Sequence, residues 1–584
     1  MLSICPHLAI NTPFVNNDDG ARLQMASSQA RQAVPLLHNE PPVVQTTLES
    51  SWIFEPDVLA AKENGVIAFI TDKIIVVKYE SNRWDLLRIF YDTKVKEGLA
   101  VGNKVEKDEI LAYKSNYFNS DGVLSQGRNM LVAIMSHPDT YEDAIILSKT
   151  AVEKGLLDSY TYHTVEEYLS ETDTLLSINK GGIYKALPEI GDKIKSGDPI
   201  LRIKHYSKTM DRLLYPSRDI ISTLDAEIMQ VDVVPHKFNT SVREFAVKMK
   251  EYQYFAKDTL NYLTSLQMPE NTLFKLRTMH HLYDYDKLIQ DNKKPLGVFI
   301  KIVYRVVERA TAGDKFSNRH ANKGVVSKLL EDKYMPKLPD GRIAEVVINP
   351  LSIISRMNIG QLFEMASSNC IYKLRDIVDK TEQTNLKETK DLIQKFYETI
   401  DNTETKWITT AIAQTLSNME TVEQLKNIEL SFPAPPFESS SLEQMREAEA
   451  LLGIKELQEV EYRDKKVHVN IGYMYFYRLM HIASHKFAGR SIGSFSSKTY
   501  QPVSGRQKGG GQKMGEMEIW ALVSYNAIEN LKEVLTIKSD NIEQKLSFIY
   551  KTLYDIKGNI KSNSIESFKL LQAYLAILGV HYEE

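Results

Sequence analysis

The chain has 584 residues, enough for about three to five domains or one multi-lobed assembly and too many for a lone binding module. Hydrophobic residues at 43% and charged residues at 25% are typical of folded soluble chains and disfavour disordered, fibrous and membrane classes. With 72 Lys+Arg against 76 Asp+Glu the net charge is −4, so any nucleic-acid contact must come from local clusters, and the two cysteines, Cys5 and Cys370, exclude a disulfide framework or a cysteine-rich zinc site.

The N-terminal MLSICPHLAI lacks a basic start and a long apolar run, so no secretion signal is expected. VIAFITDKIIVVKYE (residues 66–80) reads as a hairpin of two β-branched runs around Thr71-Asp72-Lys73, and those charges interrupt the apolar stretch well short of the ~18 residues of a membrane span. GNKVEKDEIL from Gly102 and GDKIKSGDPIL from Gly191 resemble each other. Each places Gly and Asp turn chemistry between short apolar strands, as small barrel or sandwich modules do. PDTYEDAIILSK sets Glu142 and Asp143 before the apolar run 144–147. Such acids either protect a sheet edge or form a carboxylate pair that helps hold Mg²⁺ directly or through water.

Residues 204–293 turn helix-like, rich in charge, Tyr and Met, and read as an inserted lobe; His280-His281 within it is a weak metal signal. TAGDKFSNRHANKGVVSK (311–328) gathers Lys315, Arg319, Lys323 and Lys328 around one acid, Asp314, with Gly313 and Gly324 allowing tight backbone. Such a segment is either a phosphate-binding loop or a solvated basic one. From 372 to 426 the periodicity of segments such as KDLIQKFYETI predicts amphipathic helices, and SFPAPPFESSS (431–441) is the best linker candidate.

GYMYFYRLMHIASHK reads as helix, with His481 and His485 on one face but without the glutamate of a zinc-protease helix. Residues 485–513 carry six Lys/Arg (Lys486, Arg490, Lys498, Arg506, Lys508, Lys513), six glycines and no acid, with Phe495 and Tyr500 interleaved. That composition suits a nucleic-acid backbone with some stacking, or a solvated linker. GRQKGGGQKMG does not match a phosphate-cradling P-loop. SFKLLQAYLAILG predicts a closing helix with Gly579 as its stop.

Several of these segments, in this order, resemble the C-terminal half of the β subunit of multisubunit RNA polymerases. DDGARLQMASSQARQAVP (18–35), GRNMLVAIMSHPDTYEDAIILS (127–148), GDKFSNRHANKGVVSK, INPLSIISRMNIGQLFE (348–364), KFAGRSIGSFSSKTYQPVSGRQKGGGQKMGEMEIWAL (486–522) and SIESFKLLQAYLAILG carry the likeness. The resemblance implies that Lys315 and Lys323 contact the RNA 3′-end region and the reacting nucleotides. It further implies that Arg22 and Arg356 face the incoming triphosphate, that Arg31 and Gln32 lie along the RNA, and that Glu142 with Asp143 sit near a second Mg²⁺. Lys486, Arg490, Arg506 and Lys513 would meet nucleic acid, the clamp or β′. Ser28 and Ala488 stand where the family usually has Asn and His, so the contacts of those family side chains are not carried over.

By the same resemblance the fold is α+β: a double-psi β-barrel with a flap-like insertion, small β-sandwich or hybrid modules and a helical C-terminal anchor. The expected divisions are 1–35 facing RNA and nucleotide, 36–160 as the first part of the barrel and hybrid region, 161–295 as the flap-like insertion, 296–400 as the second part of the barrel, 401–470 as helical insertion and linker, and 471–584 as the part meeting clamp and β′. The start near the Arg-Gln-Ala-Val-Pro segment, the lack of an Asp-Phe-Asp-Gly-Asp motif, and the Ile-, Lys- and Asn-rich sequence between motifs are similar to the split subunits of giant bacteriophages. Expected partners are an N-terminal β-like polypeptide, β′-like polypeptides carrying the principal Mg²⁺, template DNA, RNA, NTPs and, if required, a promoter-specificity subunit, in the cytoplasm of an infected bacterium or packaged in the virion. The competing expectations are a non-catalytic nucleic-acid-binding or scaffold protein derived from this family, and a self-contained single-chain polymerase.

Overall fold

The computed structural model describes residues 7–49, 57–71, 74–169, 173–176, 178–180, 183–185, 187–205, 218–222, 224–234, 262, 265, 269, 298–401, 405–419, 421–463, 465–491, 493–497, 501–556 and 566–581. They form two compact units, Met1–Ala483 and Ser484–Glu584.

At the centre of the first unit is a seven-stranded mixed sheet, ordered Lys315–Asn318, Lys323–Leu330, Ala144–Ser148, Val346–Ile348, Arg128–Ile134, Lys465–Arg478 and Gln458–Tyr462. Ala144–Ser148 runs parallel to Lys323–Leu330, and Val346–Ile348 parallel to Arg128–Ile134; the other neighbours in that order are antiparallel. Phe316, Ser317 and Asn318 also pair with Arg478, Tyr477 and Phe476, respectively, of the long strand. Apolar side chains dictate this arrangement. Met130, Val132, Ile145, Leu147, Phe316, Val326, Val346, Ile348, Met474 and Phe476 are buried in one cluster with Met365 of the Gly360–Asp379 helix.

Three expectations are corrected here. The double-psi β-barrel expected from 36–160 and 296–400 gives way to an α+β fold with mixed sheets: the central sheet takes its longest strand from outside both ranges, and Gln458–Tyr462 extends it beyond that strand, so the sheet as a whole is not closed into a barrel. GYMYFYR is that strand, not a helix, because residues 471–478 are buried at nearly every position and carry no two-residue alternation. SFPAPPFESSS is packed structure: Phe432–Pro433 pairs in parallel with Val44–Gln45, and Phe432 and Ala434 are fully buried.

Phe432 belongs to a second core, in which Phe14, Val44, Cys370, Ile393, Phe396 and Met445 join the helices Gly360–Asp379, Leu386–Ile400 and Leu442–Leu452. The amphipathic pattern of 372–426 is realised as helices, including Lys406–Asn418 and Val422–Lys426. The 66–80 hairpin is present as Gly65–Ile70 paired with Ile74–Tyr79; its residues 72 and 73 lie outside the described residues. Within 204–293 the longest described stretches are the strands Arg218–Ile221 and Ala226–Val234, Tyr262 and Ser265 are helical, and nearly all the rest, including His280-His281, lies outside the described residues.

The two similar segments dock alike. Gly102 N donates to Ile67 O (2.8 Å) and Ile67 N to Asn103 O (3.0 Å), then Asp108 N to Ala61 O (2.7 Å) and Ala61 N to Glu109 O (2.9 Å). In the second copy Gly191 N donates to Ile228 O (2.8 Å), Ile228 N to Asp192 O (2.9 Å), Gly197 N to Ser222 O (2.8 Å) and Ser222 N to Asp198 O (3.0 Å). Each pair of turns thus holds two points six residues apart, Ala61 and Ile67 in one copy and Ser222 and Ile228 in the other, through backbone bonds independent of side-chain identity.

The second unit begins with irregular chain and continues in the helices Glu516–Ser524, Ile528–Leu535, Ile542–Leu553 and Glu566–Ile577, the last followed by Gly579 at φ 78° as the sequence predicts. Among the described residues no helix is long and apolar enough to cross a membrane.

Candidate functional site

Lys315 and Lys323 stand on one hairpin. In its register Lys315 faces Val325 and Ser317 faces Lys323. Cross-strand partners share a sheet face and alternate residues along a strand return to it, so Lys315, Ser317 and Lys323 project from the same side. Phe316 projects from the other, into the core. The turn is set by Asn318, whose side-chain oxygen accepts the N–H groups of His320 and Asn322, both at 3.0 Å, while Ala321 takes the left-handed φ of 59°. Gly324 permits the hairpin to lie against the Ala144–Ser148 strand: a Cβ there would come within 2.9 Å of Ile145 Cγ1 and 3.0 Å of the Asp143 carbonyl oxygen.

The base of the hairpin is fixed by charge. Asp314 accepts from Arg478 Nη2 (2.7 Å), Thr311 N (3.0 Å) and Ala483 N (2.8 Å), and Arg478 also donates to the carbonyls of Leu157, Glu308 and Arg309. Burial pulls the Arg478 pKa down against the opposing pull of Asp314.

Behind the turn lies a second buried network. Arg319 Nη2 donates to Glu364 Oε1 (2.6 Å) and its Nη1 to Val44 O (2.8 Å). His320 is within 2.6 Å of Asp18 Oδ2 through Nδ1 and within 2.8 Å of Glu364 Oε2 through Nε2. Burial alone would raise the Glu364 pKa, but Arg319 and His320 hold it down to about 2. Asp18 Oδ1 also accepts from Gly360 N (2.8 Å), and Asn358 Nδ2 donates to His320 O (2.6 Å).

These contacts bring other elements of the sequence to the hairpin. Asp19 caps the Gly20–Ala30 helix, which carries half-buried Arg22, and Gln29 near its end accepts the Ser317 hydroxyl on the lysine-bearing face. Arg31, the exposed C-cap, and Gln32 follow, with Gln32 Oε1 3.2 Å from His481 Nε2 and Gln32 O accepting Met480 N. On the other side Val325 N donates to Asp143 O (2.8 Å), and the Asp143 carboxylate pairs with Arg356 Nη2. Glu142, exposed, holds φ at 23°, a conformation a non-glycine residue adopts at a cost of about 1–3 kcal/mol. Glu142 and Asp143 offer surface carboxylate oxygens, the donor type Mg²⁺ prefers, and fit as one or two ligands of an ion otherwise held by water and phosphate. Among the described residues no group of three or more His, Cys, Asp or Glu is placed to hold a metal by itself.

The Ala144–Ser148 strand that follows the acidic pair is interior to the sheet, so edge protection does not explain those acids. Of the four cations grouped by sequence, Arg319 is engaged in the interior by Glu364, Lys328 reaches Asp139 at 3.4 Å, and Lys315 and Lys323 share a face of the hairpin. Sequence reasoning passed over Asp18, His320 and Glu364, whose partnership spans 302 and 44 residues and leaves no local pattern.

In the second unit, Lys486, Arg506, Lys508 and Lys513 are exposed, while Lys498 and Tyr500 lie outside the described residues. Arg490 differs: it donates to Gly509 O (2.6 Å) and Ser494 O (2.9 Å) and lies over the Phe495 ring, stapling its own loop.

The family model described as RNA polymerase Rpb2, domain 6 matches residues 8–508, and RNA polymerase Rpb2, domain 7 matches residues 510–583. Relatives include the DNA-directed RNA polymerase subunit beta of Mycoplasmoides gallisepticum, 28% identical over 97% of this chain and 42% of the relative. That of Corynebacterium efficiens is 29% identical over 98% and 46%, and that of Geobacter sp. strain M21 is 27% identical over 98% and 50%. The chain thus spans half the length of these curated relatives or less. Matched almost end to end, with its two-lysine hairpin paired to the strand that follows the acidic pair, the chain belongs to the RNA polymerase Rpb2 domain 6 family and continues into domain 7.

Proposed function

We propose that this chain is a β-type subunit of a DNA-dependent RNA polymerase and contributes the phosphate-facing cations of templated nucleotidyl transfer, NTP + RNA(n) → RNA(n+1) + pyrophosphate. The observation that carries this reading is the common face of Lys315 and Lys323 on a hairpin whose turn and base are both held by buried polar contacts. Phosphoryl transfer is accelerated by positioning and by neutralising charge on the transferring group, so rigidly mounted ammonium groups are the apparatus it needs. In this reading Lys315 and Lys323 hold RNA-terminal and nucleotide phosphates, while Arg22 and Arg356 face the triphosphate. Arg356 would leave Asp143 for the stronger multiple charge of phosphate. Arg31 and Gln32 lie along the RNA, and the exposed cations of 486–513 track nucleic-acid backbone or a neighbouring subunit. Mg²⁺, held chiefly by a β′-like partner and touched by Glu142 and Asp143, supplies charge neutralisation when bound.

The partners are an N-terminal β-like polypeptide, β′-like polypeptides, DNA, RNA and NTPs; the Ile-, Lys- and Asn-rich sequence between motifs favours the split polymerase of a giant bacteriophage, acting inside its bacterial host. Mass spectrometry of the assembly that co-purifies with the tagged chain tests the partners. Single-nucleotide extension of a preformed RNA–DNA scaffold tests the activity. A normal extension rate with both lysines replaced by alanine would favour a non-catalytic scaffold derived from the family.

A further inference from the structure

Both ring nitrogens of His320 face carboxylates, Asp18 on one side and Glu364 on the other, and its ring is fully buried. An ionised carboxylate only accepts hydrogen bonds, so both nitrogens must donate and the ring is an imidazolium. Asp18, ahead of the Gly20–Ala30 helix, and Glu364, on the Gly360–Asp379 helix, face the ring, and Glu364 is shared with Arg319 of the hairpin turn, which is itself faced by Glu49 and by Tyr475 and Tyr477 of the long strand. We propose that His320, doubly protonated between Asp18 and Glu364, is a positioning residue that locks the Arg22 helix, the lysine hairpin and the Arg356 loop into one unit.

Each of the three connections is visible. Asp18 sits one residue before the cap of the Arg22 helix, His320 is in the turn between the two lysine strands, and Asn358, two residues beyond Arg356, binds the His320 carbonyl. Gly360 leaves no room for slack. A Cβ there would stand 2.8 Å from Asp18 Oδ1 and 3.0 Å from His320 Nδ1. With a neutral ring, one nitrogen would turn a lone pair toward a carboxylate, and one of the two struts would repel instead of bind.

Charge gives the device a pH range. Burial acts to lower the His320 pKa, but Asp18 and Glu364 outweigh it and push the value up to about 9 from the ordinary 6.5. A proton held more tightly in the folded chain contributes stability that is complete below pH 6.5 and is lost as pH rises through about 9.

The inference rests on the polymerase reading for what is positioned, and two measurements keep them apart. The first is thermal unfolding of the full chain between about pH 6 and 10. The wild type is expected to lose melting temperature through about pH 9, His320→Gln to melt lower at neutral pH without that step, and Asp18→Asn to move the step to lower pH. Superimposable profiles for all three overturn the charged clamp whatever the chain does. The second is nucleotide extension by the reconstituted assembly at saturating nucleotide, where His320→Gln is expected to be roughly tenfold to a hundredfold slower, since small misplacements of reacting groups carry that penalty. A wild-type extension rate in His320→Gln, with its melting altered, overturns the positioning role. Inert lysine substitutions would instead remove the polymerase reading and leave the clamp standing.

Discussion

Arg478 and Asp314 lie 164 residues apart in sequence, yet Arg478 Nη2 donates to Asp314 Oδ2 at 2.7 Å with both side chains fully excluded from solvent. The pair joins the end of the longest strand to the residue just before Lys315. Removing one partner strands the other charge in the interior, at a cost of about 3–5 kcal/mol. Arg478→Met is therefore expected to lower the unfolding free energy, read from denaturant midpoint and slope, by that amount or to leave the chain insoluble. A loss below about 1 kcal/mol would show that Asp314 is not held as an ion.

Replacing Lys315 or Lys323 by alanine removes a charge-assisted bond to phosphate worth about 1.5–3 kcal/mol. Nucleotide addition by the reconstituted assembly should slow by roughly tenfold to a few hundredfold, with assembly unchanged on gel filtration. A solvated basic loop would leave the rate intact and weaken DNA affinity mildly and in a salt-dependent way.

Gly324→Ala tests how closely the hairpin must approach the acidic pair. The new methyl meets Ile145 Cγ1 at 2.9 Å and the Asp143 backbone at 3.0 Å, neither on a flexible chain end. The expected cost is about 1–3 kcal/mol of stability, read by denaturant unfolding, together with slower extension as Asp143 and Lys323 are pushed apart. Unchanged values of both would mean that the strands part freely.

Within the basic segment two arginines should behave differently. Arg506 is exposed, so Arg506→Ala should shallow the slope of log affinity against log salt by roughly 0.7–0.9 if it meets a phosphate. Arg490→Ala instead removes the donors to Gly509 and Ser494 and should increase proteolytic nicking between 490 and 511 before it alters the salt slope. Salt titration and limited proteolysis of the two variants distinguish the roles.

What was legible in the sequence was local. The Gly65–Ile70 and Ile74–Tyr79 strands, the Leu386–Ile400 helix and the two-lysine motif each carry their pattern within a few residues. Lys465–Arg478 misled because a strand buried on both faces loses the alternation that identifies strands, leaving an aromatic run that fits either structure. Arg319 misled because composition counts a cation without its partner. Only the fold brings Glu364 to it. The same holds for Asp18, His320 and Glu364: their roles exist in the pairing and in none of the segments alone.

That pairing also sets a timetable. Asp18 leaves the ribosome long before His320, 302 residues later, so at roughly 5–20 residues per second it waits on the order of 15–60 s for its partner. Through that interval Asp18 lacks the ring that faces it, and afterwards the lysine hairpin, once made, still lacks the Arg478 that closes its base. Until Arg478 has been made, Asp314 at the base of the hairpin lacks its buried counter-charge, which makes the end of the longest strand the step that completes the charged framework of the site.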